Sequence, residues 1–578
     1  MKRRTFVRAS AFAGAGSLVA PGLVYGKRRA DLVLRGATVF DGTGRAGREV
    51  DIGITGDRIT DLGPKLAAGS NEIDLTGLAL APGFIDVHSH ADMSLLVNNN
   101  AESRIRQGVT LEVVGQDGGS VGPWSDEGFE STRDRYRRQY NVEIDFRDPV
   151  GFLGRMDREG AAVNLATMVG NGALRGLVVG NEDRPATDAE IARMQALLRQ
   201  QIEGGCVGLS SGLEYTPSGF ADADELVALA SVLQGTGYPY ASHMRNEDDR
   251  LLGAVEEALH VVRVAGVPVQ ISHLKAQGQR NYWKADAALN LIERARAEGV
   301  DVHFDRYPYT AYSTGLSNLF PNAYRSGGNE AFLRRLRAPD TAARLERACR
   351  DKVALLGDWN SVQITSTNAA TAYARGKLMG DLARDRGVEP YALTLELLEA
   401  NGGGVGMIGH GMGEENTAKI LAHPLGMVCS DGGIYAPYGP LSGGSPHPRG
   451  YGTFPRLLGH YVRDTGALTL ESAIHKVTQM PAQKLKLGGR GVIEVGAFAD
   501  LVAFDPSTVS DQATFEAPHQ YPVGIPVVVV NGVVTLRDGE HTGQRGGRAA
   551  RGHGTARKAC ASVCMCVCVC VAARRPLV

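Results

Sequence analysis

The chain has 578 residues, 43% of them hydrophobic and 22% charged, so it is too long for one small domain and has enough apolar residues for a barrel of ~250 residues with a companion domain. Its formal net charge is −1, but residues 1–29 and 542–578 each carry seven Lys or Arg residues and no acid, which leaves an acidic region between them. A nucleic-acid-binding protein normally has a basic folded domain, so the composition argues against that class.

The first 29 residues predict an export signal. Arg3 and Arg4 precede Phe6 and a moderately apolar stretch rich in Ala and Gly, which is typical of a twin-arginine signal peptide. The stretch is short and interrupted by Gly and Pro, so we do not expect it to span a bilayer. We therefore predict a periplasmic protein without stable membrane association.

Short β-strands are predicted on both sides of a long middle region. Residues 30–80 contain ADLVLRGATVF and EVDIGITGDRIT, and residues 486–541 contain FADLVAFDP and PVVVVNGVVTLRDGE. In each, apolar runs are separated by Gly and Asp turns. Because each half would be marginal alone, we expect the two halves to form one small β-sandwich.

The middle region, residues 81–485, predicts a parallel barrel. Its apolar runs are continuous rather than alternating, as expected for strands that are covered on both faces. Helical stretches separate them; from Asp249 to Ala265, Leu and Val recur at helical spacing before Gly266. The predicted fold class is α/β, a (β/α)₈ TIM barrel, with an insertion over the site at about residues 315–395. The eight runs are LALAPGFIDVHSH, VTLEVVGQDG, VNLATMVG, CVGLSSGLEY, YPYASHMR, VPVQISHLK, VDVHFDRYPY and GMVCSDGG.

The C-terminal segment has an unusual composition. Residues 542–578 hold five of the eight cysteines, mostly in Cys-Val alternation, which does not match the spacing of zinc-binding pairs. We predict this segment to be disordered or artefactual and assign it no function. Only Cys206, Cys349 and Cys429 lie in the body of the chain, so no disulfide framework is expected.

Candidate metal ligands follow five of the predicted strands. The carboxyl ends of barrel strands meet at one rim, so residues far apart in the sequence are expected to converge there. A single buried histidine is more often a hydrogen-bonding group than a ligand, but six candidates at one rim predict a metal site. Imidazole and carboxylate ligands favour zinc, with other divalent ions as alternatives. The candidates are His88, His90, Asp117, His243, His273 and Asp431.

Several longer motifs resemble those of the N-acyl-D-amino-acid deacylases (D-aminoacylases) of the amidohydrolase superfamily. The motifs include GFIDVHSHAD, GLSSGLEYTPSG, ASHMRNED, ISHLK, DRYPYTAYST and HPRGYGTFPR, and the resemblance covers about residues 30–541. It implies a TIM barrel with a β-sandwich built from both chain ends. It also implies zinc-dependent hydrolysis of the amide that links an acyl group to a D-amino acid.

The resemblance implies metal ligands at His88, His90, His243, His273 and Asp431. One position departs from the family pattern. The best-known members carry a cysteine after the second strand, where this chain has Asp117. A carboxylate is a harder ligand than a thiolate but can bind or bridge metal ions, so we expect Asp117 to replace the cysteine. One or two ions are expected, and their identity stays open.

The expected reaction needs a proton carrier and groups that hold the substrate. Asp431 is predicted to act as general base and then general acid. The resemblance implies that Arg449 and Lys275 bind the substrate carboxylate, for which a guanidinium fork is well suited. It also implies that Tyr307 and Ser313 contact the substrate, and the Tyr307 hydroxyl could donate to a developing oxyanion.

Two alternatives stay open at the level of the sequence. One is another amide hydrolase of the same superfamily, such as a dipeptidase or a dihydropyrimidinase-like cyclic-amide hydrolase. The other is a non-catalytic metal-binding protein on an inherited barrel. The sequence does not specify the D-amino-acid side chain, the acyl group or the oligomeric state.

Overall fold

The computed structural model describes residues 29–552. The predicted export signal, apart from its last residue, and the Cys-rich end of the chain lie outside the described residues. Within residues 29–552, no helix is both long enough and apolar enough to cross a membrane.

Eight parallel strands form the predicted barrel, and each lies in one of the eight apolar runs. The third strand is interrupted at Met168, and its two parts pair with the second and fourth strands. The backbone N–H of Asp431 donates to the carbonyl of His88 at 2.9 Å, which closes the ring between the eighth and first strands. The strands are Phe84–Asp86, Val109–Val114, Asn164–Thr167 with Val169–Gly170, Leu209–Gly212, Tyr240–His243, Val269–Ile271, Val302–Arg306 and Gly426–Val428.

Helices surround the barrel and bury their apolar faces against its strands. The helix predicted from Asp249 begins at Leu251 and ends at Ala265, where Gly266 takes a left-handed conformation with a φ of 67°. The helices of this layer are Ser94–Val97, Glu102–Ile105, Asp126–Tyr140, Pro149–Glu159, Asn171–Val178, Asp188–Glu203, Ala223–Ala230, Leu251–Ala265, Lys284–Ala297, Glu414–Ala422, Arg449–Arg456, Leu470–Val477 and Gln479–Lys484.

The insertion lies between the seventh and eighth barrel strands and is longer than the predicted 315–395. Its centre is a three-stranded antiparallel sheet in which the last strand in sequence, Gly406–His410, pairs with both others. Because the sheet needs that returning strand, the insertion extends to residue 410. Its other elements are the strands Ala311–Gly315 and Val362–Ser366 and the helices Gly328–Arg337, Ala342–Leu356, Met379–Arg386 and Pro390–Ala400.

A β-sandwich built from both chain ends accompanies the barrel, as predicted. One sheet contains only N-terminal strands, whereas in the other Leu501–Phe504 pairs with Ala79–Pro82 and with Val527–Val530. Apolar side chains from both sequence regions, such as Ile52 and Val529, share one core. In spatial order, the four-stranded sheet is Arg58–Gly63, Asp51–Thr55, Leu32–Arg35 and Asn71–Asp74, and the seven-stranded sheet is Glu540–His541, Val533–Arg537, Val527–Val530, Leu501–Phe504, Ala79–Pro82, Thr38–Val39 and Arg48–Glu49.

The prediction of a disordered or artefactual segment from residue 542 is wrong for residues 542–552, which we call the strap. The strap leaves the sandwich and lies along the third barrel strand, where Leu165 donates to the carbonyl of Arg548 at 3.0 Å and accepts from Ala550 at 2.7 Å. A Cβ at Gly547 would lie 2.0 Å from the carbonyl oxygen of Val163, so only glycine permits this approach. Backbone hydrogen bonds therefore order a segment that lacks an apolar pattern.

Candidate metal centre and active site

The six predicted ligands converge at the carboxyl end of the barrel. Most lie in the turn that follows a strand; His88 and His90, for example, come after a strand that ends at Asp86. Their donor atoms form two overlapping groups, within each of which all atoms lie within 4.8 Å of one another. The first group is His88, His90, Asp117 and Asp431, and the second is Asp117, His243 and His273.

Asp117 belongs to both groups. Its Oδ1 lies 3.3 Å from Nε2 of His88, and its Oδ2 lies 3.4 Å from Nε2 of both His90 and His273. The same Oδ2 lies 3.6 Å from Nδ1 of His243. The carboxylate therefore stands between two pairs of imidazoles, which is the position of a bridging ligand.

Asp431 completes the first group. Its Oδ1 lies 3.1 Å from Nε2 of His90 and 3.6 Å from Nε2 of His88, and its Oδ2 pairs with Nη1 of Arg449 at 2.8 Å. Burial disfavours the ionised carboxyl, but the Arg449 charge and the neighbouring imidazoles hold the pKa of Asp431 well below its ordinary value. Asp431 is therefore a carboxylate at neutral pH.

Three of the six residues have an uncommon backbone conformation. The φ angles of Asp117, His273 and Asp431 are 53°, 34° and 50°, in the left-handed region that residues other than glycine rarely occupy. For His273 this conformation has a visible effect. The strand register pairs Ser242 with Ile271, so alternation alone would turn the His243 and His273 side chains to opposite faces. Instead, Nδ1 of His243 lies 2.8 Å from Nε2 of His273.

Among the four candidate imidazole ligands, each of the three most buried has an acid near its second ring nitrogen. Nδ1 of His88 lies 3.4 Å from Asp305, Nε2 of His243 lies 3.7 Å from Glu214, and Nδ1 of His273 lies 2.9 Å from Glu247. Such acids fix the orientation of metal-ligating histidines. Sequence reasoning missed all three, although each lies in a quoted motif: GLEY, RNED and DRYPY.

The donor atoms fit a cation. Within the described part of the chain, both ring nitrogens of His88, Nε2 of His243 and Oδ1 of Asp117 are buried without a well-formed hydrogen bond. Burial disfavours a charged ring, yet Glu247, Asp117 and Glu214 raise the pKa of His243 to about 10. Two features of this cluster are shared by zinc sites. Nearby acids favour positive charge, and nitrogen and oxygen donors lack hydrogen-bond partners.

A cleft of about 1050 Å³ opens onto this cluster. His90, Asp117, Asp431 and Arg449 line it, and the insertion contributes Ser313. A small inner cavity also adjoins the cluster, and Lys275, Tyr307, Ser313 and Asp431 are among its lining residues. Ser313 and Asp431 therefore face both spaces.

Two of the predicted substrate-binding side chains lie beside the ring of a third, Tyr307. The guanidinium of Arg449 lies 4.7 Å from its centroid, and Nζ of Lys275 lies 5.7 Å from it. Burial raises the pKa of Tyr307, and its hydroxyl has no hydrogen-bond partner among the described residues, so it is free to donate. Lys275 already has a partner, because its Nζ lies 2.6 Å from Oε1 of Glu247.

Comparison with known proteins decides the family. Residues 71–536 match the model of the amidohydrolase family. The chain is 37% identical to a D-aminoacylase of Alcaligenes xylosoxydans xylosoxydans over 520 residues, which are 90% of this chain and 97% of the relative. The chain belongs to the N-acyl-D-amino-acid deacylases of the amidohydrolase superfamily.

Solved structures of this deacylase family agree in fold. A D-aminoacylase structure described as having a binuclear metal centre superposes with a TM-score of 0.76 at 35% identity, covering 90% of this chain and 100% of that one. An N-acyl-D-glutamate deacylase of Bordetella bronchiseptica, complexed with zinc and a phosphonate inhibitor, gives a TM-score of 0.75 at 32% identity with the same coverage. The predicted fold and family are confirmed.

Proposed function

We propose that this amidohydrolase hydrolyses the amide bond of N-acyl-D-amino acids with zinc as cofactor, releasing a carboxylate and a free D-amino acid. The observation that carries the proposal is the position of the Asp117 carboxylate between the two imidazole pairs, next to Asp431. The identity to D-aminoacylase over nearly its whole length favours this reaction over the dipeptidase and cyclic-amide alternatives.

The residues that would hold zinc are the two donor groups that share Asp117. When bound, zinc supplies Lewis acidity toward the scissile carbonyl and toward water. Three of the imidazoles would be oriented by the acid near their second ring nitrogen. These acids are Asp305 for His88, Glu214 for His243 and Glu247 for His273. The Asp117 carboxylate is a harder donor than the thiolate that the family resemblance implies at this position, so other divalent ions, such as manganese, are the alternatives to zinc.

Asp431 would carry the proton. Its carboxylate accepts a proton from the attacking water as the new C–O bond forms, and it returns that proton to the amine nitrogen as the C–N bond breaks. The Tyr307 hydroxyl donates to the carbonyl oxygen as negative charge develops there. Both groups face the inner cavity, so they can act on one substrate molecule.

Arg449 would bind the substrate carboxylate from the cleft side, and Ser313 adds a hydroxyl between cleft and cavity. Lys275 would contribute its positive charge while paired with Glu247. The burial of Arg449 strengthens its interaction with an anion, since little water competes for the guanidinium.

The test combines metal removal with a substrate panel. Dialysis against a chelator should abolish hydrolysis of N-acetyl-D-amino acids, and zinc or another divalent ion should restore it. N-acetyl-L-amino acids, L-dipeptides and dihydrouracil serve as comparison substrates. Full activity of the metal-free protein, or faster turnover of a comparison substrate, would contradict the proposal.

We also propose export by the twin-arginine route to the periplasm, with no stable membrane association and no nucleic-acid partner. The sequence around Arg3 and Arg4 supports the export route, and the acidic region between the basic chain ends supports the absence of nucleic acid. Fractionation of cells that produce the full chain should place it in the periplasm. The R3K/R4K variant should stay in the cytoplasm, and equal distribution of both would contradict export.

A further inference from the structure

A short buried segment between the first and second barrel strands contacts the loop that carries Asp431. Ser103, Arg104 and Gln107, in and just after the helix Glu102–Ile105, are fully buried, and we call them the clamp residues. Arg104 donates through Nη2 to the carbonyl of Gly432 and, at 3.0 Å, to the carbonyl of Gly433. These are the two residues that come directly after Asp431.

The charge of Arg104 is balanced inside the core. Its Nη1 lies 3.7 Å from Oδ2 of Asp86 and its Nε lies 3.4 Å from Oε1 of Glu112, both fully buried acids. Asp86 in turn accepts hydrogen bonds from the hydroxyl of Ser430 and, at 2.8 Å, from its backbone N–H. Arg104 and the two acids therefore form one ionic unit. Through Asp86 it holds Ser430, the residue before Asp431, and through Arg104 it holds Gly432 and Gly433, the two residues after it.

The other clamp residues extend this contact to the helix that begins at Arg449. The Ser103 hydroxyl accepts from the backbone N–H of Tyr435 at 3.1 Å. The Gln107 side chain donates to the carbonyl of Gly450 at 3.0 Å, next to Arg449. The clamp residues thus contact both chain segments whose side chains form the Asp431–Arg449 pair.

The backbone of Asp431 needs such support. Its φ of 50° lies in a region that is costly for residues other than glycine, and conformations of this kind persist only where the surroundings fix them. Without Arg104, the carbonyls of Gly432 and Gly433 would lose a donor, and the buried Asp86 would lose the cation that lies 3.7 Å away.

We propose that Arg104 is a positioning residue for the reaction, which fixes the Asp431 carboxylate against the donor groups and Arg449. The proposal rests on the function proposed above, because its main readout is turnover. A displacement of about 1 Å in a reacting group can cost about 100-fold in rate. The loss should appear in kcat, since Arg104 does not line the cleft or the inner cavity.

The test compares Arg104→Lys with Arg175→Lys in the full chain. Arg175 is an equally buried arginine that pairs with Glu225 and donates to the carbonyl of Arg184, so its contacts are not with the loop that carries Asp431. Both variants should have lower melting temperatures. Only Arg104→Lys should lose about 100-fold in kcat for an N-acetyl-D-amino acid, with KM within about twofold of the parent and unchanged metal content. Hydrogen exchange in residues 430–436 should also become faster only in Arg104→Lys.

Equal kcat in the two lysine variants would overturn the proposal, as would unchanged hydrogen exchange in residues 430–436. If Arg104→Lys does not fold, Ser430→Ala removes two hydrogen bonds of the same unit, one to Asp86 and one from the backbone N–H of Gly432, and should lower kcat in the same way. A parental kcat there would count against the proposal. If the parent itself hydrolyses no N-acyl-D-amino acid, the proposed function fails, and hydrogen exchange alone then decides the role of Arg104.

Discussion

Nη1 of Arg449 lies 2.8 Å from Oδ2 of Asp431, while Oδ1 of the same carboxylate faces Nε2 of His90 at 3.1 Å. The Asp431 carboxylate therefore connects a group of metal-donor atoms with the guanidinium of Arg449, to which we assign the binding of the substrate carboxylate. An incoming substrate carboxylate would share the guanidinium of Arg449 with Asp431. That sharing would weaken the hold of Arg449 on Asp431 and make Asp431 a better proton acceptor in the complex.

Asp431→Asn should lower turnover by several orders of magnitude while leaving metal in place. The amide keeps the shape and one oxygen donor but does not accept the water proton, and loss of proton transfer costs about 10²- to 10⁴-fold. We would measure kcat together with metal content by elemental analysis. A rate near that of the parent at full metal content would remove the proton-transfer role.

Arg449→Lys should raise KM by about 10- to 100-fold for substrates with a free carboxylate, because lysine keeps the charge but lacks the bidentate fork. The corresponding methyl esters should be affected much less. Arg456→Lys is the control, since Arg456 lies on the same helix but faces Asp511 at 3.4 Å. An equal loss on acids and esters would indicate a structural role for Arg449.

Asp117→Cys should shift metal preference toward zinc and cadmium and away from manganese, because a thiolate is the softer ligand. Competition dialysis with paired metals would give the ratio of affinities, which we expect to change by about tenfold or more. This measurement does not depend on activity. An unchanged ratio would show that Asp117 does not contact the metal.

Removal of the strap should destabilise the fold. A chain ending at residue 541 loses the hydrogen bonds to Leu165 and the ion pair between Arg551 and Asp157, whereas a chain ending at residue 552 keeps them. At about 1 kcal/mol for each backbone hydrogen bond, we expect a loss of about 2–4 kcal/mol in the free energy of unfolding. Denaturant titration of the two chains would test this, and equal midpoints would contradict it.

Lys484 should make stability depend on pH. Burial lowers the pKa of this lysine from 10.5 to about 7, despite the nearby Asp301. Because the folded state holds the proton less tightly than the unfolded state, stability should fall as pH falls from 10.5 to about 7, by up to about 1.4 kcal/mol per pH unit. Lys484→Met should lack this slope. Parallel pH profiles of unfolding free energy for variant and parent would refute the assignment.

Local sequence patterns predicted the barrel and the convergence of the candidate ligands. The eight barrel strands are continuous apolar runs, and the six candidate ligands could be expected to meet because parallel strands bring their carboxyl ends together. Glu247 and Asp305 were missed because their role depends on which imidazole nitrogen they face, which is a tertiary property. Arg104 was missed because a charged residue in a short helix normally faces solvent.

Two further differences have physical causes that a single sequence hides. His273 joins His243 through its left-handed backbone, which alternation along a strand does not predict. The strap has the composition of a loop, QRGGRAARG, and its order comes from hydrogen bonds to the barrel and from the close approach at Gly547. Composition alone therefore led to the wrong prediction at the strap.

The seven-stranded sheet of the sandwich is of mixed origin, since strands between residues 38 and 82 lie beside strands between residues 501 and 541. During synthesis, Ala79–Pro82 must wait until more than 400 residues have been added before its late neighbour, Leu501–Phe504, exists. The exposed edge of Ala79–Pro82 then needs protection from other nascent chains, and a ribosome-bound intermediate would be the species most open to aggregation or to chaperone binding.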